Sequence, residues 1–255
     1  MDVVWVPDPV PCSLARGAEA VALREARLRL GVAARSATPA VAAAAAEVYA
    51  TMWAERRDAA CTGAVWSVPG RGVVCTFHAA AEAAMVARLR VGLLVRAAAQ
   101  LEDRTARLTA LAEALLLARA EVPPVADVVE LLMHAEYVEA APPHAGAWRS
   151  IHAGALAAAA RMRASADAQG AAGAEAMAAD ALARACEAAA EACYASAKFA
   201  EAAEFALGGR PSAKERADQL VAIARDRGIV TRAKSTGELL CALPPEVALP
   251  PIVTT

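Results

Sequence analysis

Residues 81–99 read AEAAMVARLRVGLLVRAAA, a long apolar run with one early acid, Glu82, and three alanines at its end. Leucine, valine and alanine recur here without a glycine or proline cluster, so the run predicts a helix extending over about 77–101. A tryptophan turn, Gly63-Ala-Val-Trp66, lies upstream, and a second apolar helix, VVELLMHAEYVEAA over 128–141, lies downstream. That order predicts a helical scaffold that docks partner peptides more than a pocket that performs chemistry.

Working outward, the pattern stays helical. A helix over about 13–30 takes Leu14, Val21, Leu23, Leu28 and Leu30 as its apolar positions. Thr38-Pro39 places an N-cap threonine before a proline at the first helical position, opening a helix to about 60 with Val41, Val48, Met52 and Trp53 on one stripe. Residues 61–74 hold Gly63, Pro69, Gly70 and Gly72 between short valine-rich pieces and read as a loop or weak hairpin.

After 77–101, a helix over 103–119 sets Leu108, Leu111, Ala112 and Leu115 on one face. Pro123-Pro124 ends it and begins another with Val125, Val128, Val129 and Leu132 inward. Pro142-Pro143 breaks the chain before a helix over 145–168. A turn at Gly170–Gly173 then precedes a long helix over 174–207, and a capping box, Ser212 and Glu215, opens a last one to Arg227. Residues 192–202, ACYASAKFAEA, resemble half of a tetratricopeptide unit.

The expected fold is therefore all-α, a curved array of about eight antiparallel helices including a tetratricopeptide-like pair. It would form a single domain over 1–255. Residues 1–12 read as an extended edge segment around Trp5, 13–241 as the helical body, and 242–255 as an extended, proline-rich tail.

Composition narrows the function. The chain has 255 residues, of which 58% are hydrophobic but only 4% aromatic, and the excess is alanine. Asparagine is absent and Lys198, Lys214 and Lys234 are the only lysines, the pattern of a G+C-biased coding sequence. The formal net charge of −2 and the lack of a basic block argue against a nucleic-acid partner. Six cysteines without CxxC spacing point to a reducing compartment, with neither a disulfide framework nor a zinc knuckle. The opening MDVVWVPDPVPC does not read as a signal peptide, and no apolar run is long enough to span a bilayer, so the expected location is cytoplasmic.

No nucleophile, phosphate loop or cofactor motif stands out, so the expectation is a non-catalytic chain without cofactor or metal. The nearest approach to a metal set is Asp127, Glu130 and His134, at i, i+3 and i+7 on one helix, with His144 and His152 downstream. A solvated stripe explains those residues as well, and the same holds for Glu136 and Glu139.

With the helices in order, four places resemble the Bro domain, the curved helical module of Alix, rhophilin and their relatives. Val65-Trp66 stands where that family has a tryptophan motif before a variable loop. Glu82, Val86, Leu93, Ala98 and Ala99 match its central helix without a gap. LLMHAEYVE over 131–139 is similar to a family helix, keeping Met133, Ala135 and Glu139. The ending, with Leu-Pro-Pro at 243–245 and 249–251, looks like the extended segment that closes the family's domain. The resemblance spans 66–252, in a chain shorter than the usual family domain.

This resemblance implies a scaffold that binds an amphipathic helix of an ESCRT-III-type subunit in membrane trafficking. It also implies at most peripheral membrane association, with recruitment to endosomal membranes. The expected partner-binding residues are Leu132, Val138, Trp148, Ile151 and Leu156, from the helices over 125–141 and 145–168. One departure bears on that role: Ala140, Ala141 and Pro142 follow Glu139 where the family carries a bulky anchor, leaving Leu156 on the next helix as the nearest bulky candidate. Two other readings compete with it. One is a tetratricopeptide-like or bundle-type structural subunit of a larger assembly. The other is a bundle enzyme with a polar site near Glu130 and His134.

Overall fold

A computed structural model describes residues 4, 6–10, 18–36, 38–54, 64–68, 72–76, 79–142, 144–207 and 243–252; within the longest helix, side chains are described as far as 189. These residues form seven helices and a small three-stranded sheet. The helices are α1 (Ala18–Ser36), α2 (Pro39–Ala54), α3 (Ala79–Ala99), α4 (Arg104–Glu121), α5 (Pro123–Glu139), α6 (Ala145–Ala164) and α7 (Ala168–Leu207). The strands are β1 (Asp8–Pro9), β2 (Ala64–Val68) and β3 (Gly72–Thr76). The expected helix over 212–227 and its capping box lie outside the described residues, as do Trp5, Leu14 and Gly63.

The chain is thus mostly helical, but the sheet departs from a purely all-α expectation. What read as a loop or weak hairpin is an antiparallel pair, with Trp66 opposite Val74 and Val68 opposite Gly72. Alternation explains it. Ala64, Trp66 and Val68 are buried while Val65 and Ser67 are half-buried, the period of two that a strand imposes. β1 adds to the free edge of β2, with Pro9 opposite Trp66, and proline is tolerated there because an edge strand leaves one side unpaired.

Contacts group the chain into two compact units. The first comprises residues 1–133, 161–173 and 254–255, and the second 134–160 and 174–253. In the first, the core gathers Leu30 of α1, Ala42, Ala46 and Tyr49 of α2, Trp66 and Val68 of β2, and Val86, Leu89 and Leu93 of α3. On α1 the expected positions Leu30 and Leu23 do pack into this core, whereas four others on α1 and α2 are corrected. Val21 and Leu28 on α1 and Val41 and Val48 on α2 are exposed, and Ala42, Ala43, Ala46 and Tyr49 point inward instead. Small side chains on the buried face let the backbones come close, so space is filled by Trp66 and Tyr49 rather than by valines.

Helix ends follow local chemistry. Asp103 caps α4 by accepting the Ala106 N–H at 2.7 Å. Pro123 then takes the first position of α5, where its missing N–H costs nothing. On α4, Leu111 and Leu115 are buried, and on α5 Val125, Val128 and Val129 are fully buried, as their spacing predicts.

The break between α6 and α7 lies earlier than the glycines suggest. α7 starts at Ala168 and runs through Gly170 and Gly173. The turn is made by Ala166 at φ 58°, with Asp167 N donating to Met162 O at 2.8 Å and Ala166 N to Arg163 O at 3.0 Å, the two bonds of a Schellman ending. Asp167 then caps α7 by accepting the Gly170 N–H at 2.9 Å.

In the second unit, α6 turns Trp148, Ile151, His152, Ala155, Ala158 and Ala159 inward. From α7, Ala178, Ala181, Leu182, Ala185 and Cys186 are buried. The tail, residues 243–252, has neither helix nor strand and buries only Leu243 and Ile252.

Candidate functional site

Two places concentrate polar chemistry on buried or half-buried ground. The first surrounds Glu82, which is fully buried in the first turn of α3. Its Oε1 accepts from Arg27 Nη1 of α1 at 2.5 Å and from Tyr49 Oη of α2 at 2.7 Å. Its Oε2 accepts from Trp66 Nε1 of β2 at 2.6 Å and from Thr76 Oγ1 of β3 at 2.6 Å. Arg27 Nη1 also donates to Tyr49 Oη at 2.9 Å, and Nη2 donates to Val65 O. The guanidinium carbon stands 4.4 Å from the Trp66 ring centroid and 5.7 Å from that of Tyr49.

A carboxylate has about four acceptor directions, and here four donors take them. No direction is left toward a substrate, and the site is closed to water. The cluster therefore holds structure: it satisfies a buried charge, which is costly unless paired, while joining α1, α2, β2, β3 and α3 at one point.

Sequence reasoning found Glu82 and Trp66 but missed Arg27 and Tyr49. The signal for Arg27 was present. Leu23, Arg27 and Leu30 lie at i, i+4 and i+7, which places the arginine on the inward face of α1.

The second place is the expected partner face on α5 and α6, and its three residues on α6 do not share one face. Leu132 and Val138 are half-buried on α5. On α6 the helical period separates the others: Trp148 and Ile151 face inward at 7% and 0% exposure, and Leu156 faces outward at 46%. Trp148 is covered by Arg184 of α7, whose guanidinium carbon is 4.9 Å from the ring centroid. Arg184 also pairs with Glu139 and with Asp180, the latter at 2.9 Å.

The residues of the metal or enzyme alternative are engaged elsewhere. Asp127 pairs with Arg161 at 2.8 Å and Glu130 with Arg119 at 2.9 Å. His144 is an N-cap of α6, its Nδ1 accepting the Ala147 N–H at 3.2 Å. His152 is buried and its Nδ1 bonds Ala178 O at 2.8 Å. His134 is buried as well. Among the described residues, no group of three histidines, cysteines or carboxylates is placed to hold a metal ion.

Cys186 is buried, and burial, with the nearby Glu187 charge second, pushes its thiol up to about 11. Cys75 is exposed. No described helix is long and apolar enough to cross a membrane. Comparison with protein-family models, curated proteins and solved structures finds no match to this chain.

Proposed function

We propose that the chain is a non-catalytic helical scaffold of the Bro-domain type that binds an amphipathic helix of an ESCRT-III-type subunit in the cytoplasm. The observation that carries this reading is the bond from Trp66 Nε1 to Glu82 Oε2 at 2.6 Å. The tryptophan and the early acid, two separate places of the resemblance, meet in one buried cluster and act as a unit. The third place ends at Glu139, which pairs with Arg184, and the fourth, the Leu-Pro-Pro tail, is bonded to α6. Leu156 is the contact to a partner helix, as the large apolar residue that α6 turns to solvent. Recruitment to endosomal membranes would follow from that partner. A pull-down of an ESCRT-III C-terminal helix with the wild type and with Leu156→Asp tests it: capture by the wild type alone supports the reading, and capture by neither rejects it.

A second reading is favoured by a different surface. Val21, Leu28 and Val32 on α1 and Val41 and Val48 on α2 are all exposed, more apolar side chain than two neighbouring helices usually leave in water. A structural subunit of a larger assembly would cover them. Sedimentation of wild type against Val32→Glu/Val41→Glu separates the readings, since an assembly through α1 and α2 would dissociate in the variant.

A further inference from the structure

The tail does not lie on α6 as a mere covering. By helical period Gly146, Arg149 and Ser150 lie on the side of α6 away from Ile151 and Ala155, and the same side continues to exposed Leu156. Gly146 is buried and the other two are half-buried against the tail. Arg149 Nη1 donates to the main-chain oxygens of Leu243 at 3.3 Å and Pro244 at 3.0 Å. The Ser150 hydroxyl serves both groups of one residue: it accepts the Val247 N–H at 3.0 Å and donates to Val247 O at 2.6 Å. Gly146 completes the seat by having no side chain. A Cβ there would stand 2.6 Å from Pro245 O and 3.2 Å from Val247 Cγ1.

These contacts read backbone more than side chain. Leu243 is buried at one end and Ile252 at the other, and most of the residues between them are exposed. Pro244 and Pro245 fix φ, and each biases the residue before it toward extended backbone, so this segment is largely extended before it docks. Pre-extension by the prolines lowers the entropy cost of binding, and main-chain recognition leaves the exposed positions between the anchors free to vary. One ion pair, Arg149 to Glu246 at 3.8 Å, lies at the half-exposed rim and adds little.

We infer that this side of α6 at Gly146, Arg149 and Ser150 is a receptor site for extended Leu-Pro-Pro peptides, held in cis by the chain's own residues 243–252 as an exchangeable occupant. The partner is a segment with a leucine before paired prolines, bound through its carbonyls by the arginine and through one residue by the serine. The inference does not rest on the ESCRT-III reading, which concerns a helical ligand.

The test uses the full chain and a fluorescein-labelled peptide LPPEVALPPI, the sequence of residues 243–252. Leu243→Asp/Ile252→Asp removes both apolar anchors and frees the seat. Anisotropy is expected to show the peptide binding this variant at least tenfold more tightly than the wild type, whose own tail competes. Adding Gly146→Val to the freed chain is expected to abolish binding. Equal affinity for wild type and freed chain, or binding that survives Gly146→Val, would overturn the inference. So would loss of the freed chain's helical circular dichroism, because the tail would then be a structural closure and not an exchangeable ligand. In the otherwise unaltered chain, Gly146→Val should speed hydrogen exchange of the Val247 amide while α6 amides stay protected. Unchanged Val247 exchange would count equally against it.

Discussion

Trp66 and Glu82 are joined by a 2.6 Å bond from the indole N–H to a carboxylate oxygen, both side chains fully buried, with Glu82 in the first turn of α3. The bond ties a strand to a helix across a stretch that composition alone would leave as a loop. It also explains why a tryptophan can be entirely buried, since its one polar atom has a charged partner.

Glu82→Gln tests the weight of this cluster. The amide keeps one acceptor but turns an NH₂ toward donors, and it leaves the Arg27 charge buried without its counterion. Urea unfolding should show a loss of about 3–5 kcal/mol, the range for breaking a buried ion pair. Trp66→Phe, which removes one bond to the carboxylate, should cost about 1.5–3 kcal/mol. The double variant should lose less than the sum, because the two changes share one interaction.

Ala166→Gly should stabilise the chain. Alanine at φ 58° occupies the left-handed position where a helix ending prefers glycine. The strain is about 1–2 kcal/mol, partly offset by the extra freedom of glycine when unfolded. Denaturant titration is expected to show a gain of about 0.5–1 kcal/mol.

Cys186 and Cys75 should differ sharply in reactivity. With its thiol pushed up to about 11 and buried, Cys186 should resist iodoacetamide at pH 8 in the folded chain, while exposed Cys75 is alkylated. Peptide mass mapping reads both sites, and in urea both should react. The same shift has a consequence for stability. The unfolded thiol ionises near 9.0 and the folded one near 11, so the folded chain holds the proton longer. Stability from this group is therefore complete below pH 9 and declines as pH rises from 9 to 11.

Much of the fold was legible because alanine, leucine and valine at helical spacing are unambiguous over a dozen residues or more. α4 and α5 follow their apolar periods, and Pro39 and Pro123 start helices where a first-position proline belongs. The inward face of α2 was not legible, and that of α1 showed only through Leu23, Arg27 and Leu30 at i, i+4 and i+7. Where alanine is everywhere, a valine stripe and an alanine stripe compete, and burial goes to whichever fits against Trp66 and Tyr49. The α6–α7 break was hidden because Asp167 capping and a left-handed alanine outweigh glycines that a helix can absorb. In the expected partner face, one helical turn decides orientation: Ile151 and Leu156 are both apolar, yet they project from opposite sides of α6.

The most direct measurement of the central claim is a calorimetric titration of an ESCRT-III C-terminal helix peptide into the wild type and into Leu156→Asp. Leu156 is half in solvent, so its substitution should leave stability within about 0.5 kcal/mol. Saturable 1:1 binding to the wild type is expected, with at least a tenfold weaker constant for the folded variant. Absence of binding to the wild type, or equal binding to both, would contradict it.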